Sequence, residues 1–154
     1  MNFLKRQSRR NSLIKELMNV MNLPEEPFME MESNDLFCKE VFATLNTYKY
    51  KTILQGHDYR ENISRSIEAL KDINTIDILS KEARVFFFRE QEIEAVKLYV
   101  NDVFRNLEEI VKLTKFDTGY GDFILVTDEL NFGVCIERTE YNYELSVWGI
   151  PNTR

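Results

Sequence analysis

Ala83-Arg84-Val85-Phe86-Phe87-Phe88, the periodic run from Glu90 to Lys112, and Asp122-Phe123-Ile124-Leu125-Val126-Thr127 together decide the fold. The first run has strand length, and both of its alternating faces, Val85/Phe87 and Phe86/Phe88, are apolar. A strand apolar on both faces belongs inside a sheet covered on both sides. Phe123/Leu125 and Ile124/Val126 read the same way. Between them, Ile93, Val96, Val100, Val103, Leu107 and Ile110 recur at spacings of three and four, which predicts one helix over 90–113 with a single buried stripe. Glu90, Glu92 and Glu94 at its start and Lys112 and Lys115 at its end suit the helix macrodipole. A strand, a helical crossover and a second buried strand suggest a parallel pair.

Downstream, Asp128-Glu129-Leu130-Asn131 is a turn. Phe132, Val134 and Ile136 then alternate with Gly133, Cys135 and Glu137. After Thr139-Glu140-Tyr141-Asn142, the inward residues Tyr143, Leu145 and Val147 lead to Trp148 and to the stop at Gly149-Ile150-Pro151. Short turns between sequential strands make an antiparallel meander.

Upstream, residues 1–11 are basic and polar and read as a flexible arm. Asn11 or Ser12 caps a short helix carrying Leu13, Leu17, Val20 and Met21, ended by Leu23-Pro24. The run 24–32, with two prolines and four glutamates, is a linker or an exposed loop. Ser33 or Asn34 caps a second helix with Phe37, Val41 and Leu45 in a row. Residues 48–54 alternate like an edge strand but also continue the helical row, so both assignments stay open. Asp58 or Asn62 caps a third helix with Ile63, Ile67 and Leu70 on one face, and 74–80 fits strand or helical turn equally.

The fold class is therefore α+β, with one domain over 12–154. N-terminal helices precede a β-α-β-β-β unit, 83–148, which forms a mixed sheet with the long helix packed on it. The 154 residues bury about two-thirds of their unfolded surface. No apolar run approaches the ~20 residues of a membrane span, and no apolar segment follows the basic start, so a cytoplasmic location is expected. Cys38 and Cys135 have no Cys or His at metal spacing and read as free buried thiols. No metal or cofactor is implied.

The net charge of −6 is unevenly spread. Residues 1–15 hold five basic groups and no acid, whereas 117–154 hold seven acids against Arg138 and Arg154. An acidic C-terminal end repels nucleic-acid phosphates and favours a basic protein partner. Asp128, Glu129, Glu137, Glu140 and Glu144 supply that charge, and Tyr141 and Trp148 are its aromatic anchors.

Three functions are weighed on these residues. The leading one is a non-catalytic binding module that uses the acidic, aromatic-edged face. Its rival is a small enzyme with a site in Asp117-Thr118-Gly119-Tyr120-Gly121-Asp122, helped by Glu137 or by His57, the single histidine. That loop lacks the Lys-Ser/Thr ending of a phosphate loop, and a connecting turn explains it as well. Acids such as Asp122, Glu137, Glu140 and Glu144 at one sheet end occur in metal-dependent nucleases, but a solvated acidic face is the simpler reading. The third function is a nucleic-acid contact through Lys5, Arg6, Arg9, Arg10 and Lys15. A deep pocket with converging polar groups favours an enzyme, and a broad face favours a binder.

From Asp122-Phe123-Ile124-Leu125-Val126 through Phe132-Gly133-Val134-Cys135-Ile136-Glu137 to Leu145-Ser146-Val147-Trp148-Gly149, the chain resembles the closing meander of small bacterial proteins of unknown function. Some of those are similar to immunity proteins that neutralise polymorphic toxins. The resemblance is one of hydrophobic pattern and brings no site residues. It implies a small acidic binding protein.

Overall fold

Phe86 and Phe87 point to opposite sides of one strand, and both are fully buried. Their strand lies inside a sheet with helices on each face. The computed structural model describes residues 3–47, 51–73, 82–119, 121–139 and 142–149. In chain order the elements are α1 (Phe3–Met18), α2 (Met31–Thr47), β1 (Lys51–Leu54), α3 (Tyr59–Asp72), β2 (Glu82–Phe88) and β3 (Ile93–Tyr99). They continue with α4 (Val100–Arg105), α5 (Leu107–Thr114), β4 (Phe123–Val126), β5 (Gly133–Arg138) and β6 (Tyr143–Trp148). The strands form one six-stranded sheet in the order β1-β6-β5-β4-β2-β3. The strand or turn expected at 74–80 lies outside the described residues.

Alternation along the strands builds two cores. Val85, Phe87, Val96, Leu98, Phe123, Leu125, Val134 and Ile136 meet Leu13 and Leu17 of α1, Leu70 of α3, Val100 and Val103 of α4, and Leu107, Ile110 and Val111 of α5. On the other face, Phe86, Ala95, Ile124, Val126 and Cys135 meet Phe37, Cys38, Val41 and Leu45 of α2. Phe86 takes the rings of Phe37 and Phe42 at 6.3 and 5.9 Å between centroids. The expected two-faced strands and their shared sheet are thus present, in an α+β domain. Both cysteines are buried and free, and burial pushes the Cys38 thiol up to about 12.

Two expectations about the central unit are corrected. Every pairing in the sheet is antiparallel, so the sheet is not mixed. The single helix over 90–113 is also absent, because Ile93–Tyr99 is a strand in a hairpin with β2 and the helical part begins at Val100. Ile93 and Ala95 enter the α2-side core while Val96 and Leu98 enter the other, which is period two. The spacing Val96–Val100 looks helical only because a strand hands over to a helix there. The reversing turn Arg89-Glu90-Gln91-Glu92 carries no glycine, proline or asparagine, and it closes through the Arg89 N–H on the Glu92 carbonyl at 2.9 Å. Adding β3 reverses the chain once more, so β2 and β4 pair antiparallel.

The N-terminal stretch also differs from the expected frayed arm. Residues from Phe3 are helical, and Arg6 and Arg10 are among the buried residues of α1. Arg6 Nε donates to Glu94 Oε2 at 2.9 Å, and its two Nη groups donate to Asp35 at 3.1 and 2.9 Å. Arg10 Nη2 lies 2.8 Å from Glu94 Oε1 as an ion pair, and Arg9 grips Glu92 with two bonds of 2.6 and 2.7 Å. Burial works against the Arg6 charge, but the hydrogen bonds to Asp35 and Glu94 outweigh it and raise its pKa. Arg6 and Arg10 are internal cations and Arg9 is paired at the surface, so this stretch is not a free basic arm.

The same corner seals one edge of the sheet. The Asn34 carboxamide donates to the Ile93 carbonyl at 2.8 Å and accepts from the Ala95 N–H at 2.8 Å. Two residues further, the Lys97 N–H donates to the Pro27 carbonyl at 2.9 Å. Asn34 therefore does not cap α2, which starts at Met31. It replaces a strand neighbour, the protection an exposed edge needs.

Asp58 does cap α3: its side chain accepts from the Glu61 N–H at 3.0 Å, and Glu61 reaches back to the His57 N–H at 3.1 Å. This reciprocal pair turns the chain out of β1.

Candidate functional site

The pairing register places the candidate residues. Val126 stands opposite Gly133, and Phe123 opposite Ile136. Asp128 and Glu129 therefore sit at one end of the meander, and Asp122, Glu137 and Glu144 at the other. The four residues of β4 separate the ends by about 10 Å. Glu140 and Tyr141 lie outside the described residues, as does Tyr120. The expected acidic face is thus two groups rather than one patch.

At the first end, Asp128 is tied inward. Its carboxylate accepts from Arg84 Nε at 2.7 Å and lies 3.2 Å from Lys97 Nζ. Burial pushes this carboxyl up, but the bond and charge of Arg84, with Lys97, outweigh it and hold the pKa below the ordinary value. Glu129 is exposed beside it. Trp148 covers its cross-strand partner Gly133, where an added Cβ would fall 2.1 Å from the indole, and it donates to the Leu130 carbonyl at 2.9 Å. The Trp148 ring is half-buried packing for the β4–β5 turn, which limits it as an anchor for a partner.

At the second end, three strands carry carboxylates side by side. Glu137 and Glu144 are directly opposite on β5 and β6. Asp122 precedes β4 next to Glu137, and its Oδ1 accepts the Arg138 N–H at 3.1 Å. Burial raises the Asp122 carboxyl above its ordinary value of 3.8. Lys51 is the cation bonded into this row, and the Arg138 charge acts on Asp122. Lys51, on β1, lies 2.7 Å from Glu137 and 3.9 Å from Glu144, and the bond to Glu137 raises its pKa. Glu144 is therefore the less neutralised of the pair. Beside it, Ile53 stands opposite Glu144 on β1 and is 50% exposed.

Lys51 and Ile53 complete this end, and the sequence reading did not select them. Their only local signal is the alternation of Tyr48-Lys49-Tyr50-Lys51-Thr52-Ile53-Leu54, which also fitted a helix. Residues 48–50 are not described, and 51–54 are strand.

The features weighed for catalysis are not brought together. His57 contacts Glu61 at the start of α3 through its backbone. In the 117–122 loop, Gly119 adopts φ 90° and its carbonyl accepts from the Arg138 guanidinium. Open clefts indent the described surface, two of which stand out. One of about 530 Å³ lies between Glu25–Glu30, Arg84 and Lys97. The other, of about 640 Å³, lies among Arg6, Cys38, Phe42, Phe88 and Glu92. Neither is lined by Asp117–Asp122. Among the described residues, no three His, Cys, Asp or Glu side chains are grouped to hold a metal ion. No described helix is long and apolar enough to cross a membrane.

No curated protein and no solved structure matches the chain. The family model of the YxiF protein matches residues 13–148, which takes in both cores, the sealed edge and the carboxylate row. The chain belongs to the YxiF protein family.

Proposed function

We propose that this protein is a non-catalytic protein-binding module, an immunity or accessory factor, that receives a basic partner at the β1–β6–β5 end of its sheet. The observation that carries this reading is the pair Glu137–Glu144. Like charges directly opposite on neighbouring strands destabilise a sheet. Asp122 extends the row, and Lys51 hydrogen-bonds to Glu137 while reaching Glu144 only at 3.9 Å. Lys51 offsets this repulsion more fully at Glu137, 2.7 Å away, than at Glu144, 3.9 Å away, so a cation brought by a partner has most to gain at Glu144. Half-exposed Ile53 gives the same end an apolar contact. The immunity role implied by the resemblance of the closing meander is one member of this class, in which binding itself is the activity.

A photo-reactive residue at Ile53 tests the reading in the cells that make the protein. A discrete adduct should form with a basic protein and should vanish in the Glu137→Lys/Glu144→Lys variant. An adduct that survives both reversals would remove the carboxylate row from the binding face. If the adducted protein is a toxin, survival of cells expressing it should depend on the same two glutamates.

A further inference from the structure

The two edges of the sheet are finished differently. On β3, the Ile93 carbonyl and Ala95 N–H are taken by the Asn34 carboxamide, the Ala95 carbonyl by Arg84, and the Lys97 N–H by the Pro27 carbonyl. On β1, β6 is the only neighbour among the described residues. No hydrogen bond from the outer side of Thr52, Ile53 or Leu54 is found there. In an antiparallel ladder, alternate residues of an edge strand aim their N–H and C=O groups away from the sheet. Such a row is a template for one more strand.

Resting on the reading above, we infer that the partner docks an extended basic segment as a seventh strand along β1, with an arginine or lysine crossing Ile53 to the Glu144 carboxylate. Neighbouring strands lie about 4.8 Å apart, so a residue beside Ile53 sits two strand spacings from Glu144. A lysine or arginine stem spans that gap, laying its methylenes on the exposed isoleucine while the charged head reaches the acid. The position of Lys51 leaves Glu144 available, since its ammonium is 2.7 Å from Glu137 but 3.9 Å from Glu144. Ser146, buried directly opposite Lys51, has a hydroxyl with no hydrogen-bond partner among the described residues. It is a leftover acceptor on the same side of the sheet. Main-chain bonds supply affinity in this mode, and the crossing cation supplies selectivity. β1 is short and carries Lys51 at one end, which limits how it can pair with β1 of a second copy. A partner with acids in place of bases would meet Glu137 and Glu144 as like charges.

The test uses a synthetic peptide of about eight residues alternating arginine and valine. Two controls accompany it, one with alternate amides N-methylated and one with glutamate for arginine. Binding is followed by the amide resonances of the full-length protein. The parent peptide should shift and slow the exchange of the Lys51–Leu54 amides, and N-methylation should weaken binding by at least about tenfold. Glu144→Gln should weaken it too, and the glutamate peptide should not bind. Binding that needs Glu144 but ignores N-methylation would overturn strand addition and leave the basic-partner reading standing. Binding that needs the peptide backbone but ignores Glu144 would overturn the crossing cation and count against that reading as well. No shift at Lys51–Leu54 from the parent peptide overturns the inference, while the cross-linking at Ile53 still decides the broader reading.

Discussion

Arg6 Nε lies 2.9 Å from Glu94 Oε2, with the two side chains 3% and 2% exposed. Charges so far from water are stable only together, because the desolvation of each is offset by the other. Glu94→Gln leaves Arg6 with the more exposed Asp35 and leaves Arg10 with no carboxylate. We expect it to lower stability by about 3–5 kcal/mol in urea unfolding, the range for breaking a buried pair. Deleting residues 1–10 should do comparable damage. Full stability after that deletion would show that α1 is not docked through its arginines.

Asn34 should matter through its position and not through helix capping. Asn34→Ala leaves the Ala95 N–H without its partner, at about 1–3 kcal/mol, and leaves the Ile93 carbonyl with only the long 4.0 Å contact from the Cys38 thiol. It also opens the β3 edge. Light scattering on warming should therefore rise earlier than the loss of stability alone explains. A variant that is destabilised but no more prone to associate would mean that the edge is guarded elsewhere.

Phe87→Ala removes a ring that is wholly buried in the core beneath α1, α4 and α5. The expected cost is about 3–5 kcal/mol, from lost transfer energy and the remaining cavity. Denaturant titration measures it, and a cost under about 1 kcal/mol would contradict the packing described.

Asp122 has the opposite pH dependence to Asp35 and Asp128. Burial raises its carboxyl above 3.8, so its ionisation weakens the fold at neutral pH. As pH falls through the raised value toward 3.8, the folded state takes up the proton first and stability returns. For Asp35, the Arg6 hydrogen bond lowers the pKa; for Asp128, the ties to Arg84 and Lys97 outweigh burial. The contribution of these two is present above 3.8 and is lost as pH falls below it through their folded values. Asp122→Asn keeps an oxygen for the Arg138 N–H and should melt higher than the parent at pH 7. The advantage should disappear below 3.8. Equal melting temperatures at pH 7 would count against a buried, ionised Asp122.

Glu144→Lys separates folding from binding. The like pair with Glu137 becomes an opposite pair, while the weaker 3.9 Å ion pair with Lys51 is exchanged for a like contact, so the isolated protein should change by no more than about 1 kcal/mol while association with a basic partner slows. A loss well beyond about 1 kcal/mol in this variant would mean that Glu144 serves the fold.

Val85 to Phe88 and Phe123 to Val126 were legible because each apolar residue has an apolar neighbour of opposite facing, which only a doubly covered strand satisfies. Ile93–Tyr99 was not, since Ile93, Val96 and Val100 satisfy helical spacing by coincidence and the turn before them uses ordinary polar residues. The buried Glu94 adds to the difficulty, because it enters the core only with arginines about ninety residues away in sequence. The same distance hides the role of the basic N-terminus. At the site, the carboxylates of the meander could be named in advance. Register then decided which of them meet, and it brought in Lys51 and Ile53 from a strand whose alternation was ambiguous.

The long reach of these contacts bears on how the chain acquires its shape during synthesis. Arg6 must find Glu94, Arg9 must find Glu92, and Lys51 must find Glu137 across 88, 83 and 86 residues. Among the described strands β1 pairs only with β6, the last of them, and must wait until it has left the ribosome. At about 5–20 residues per second, Arg6 waits roughly 4–18 s for its carboxylate. The N-terminal half is in that interval a stretch of unmatched charge and uncovered leucine, so completion of the fold is a late event set by translation of the C-terminal third.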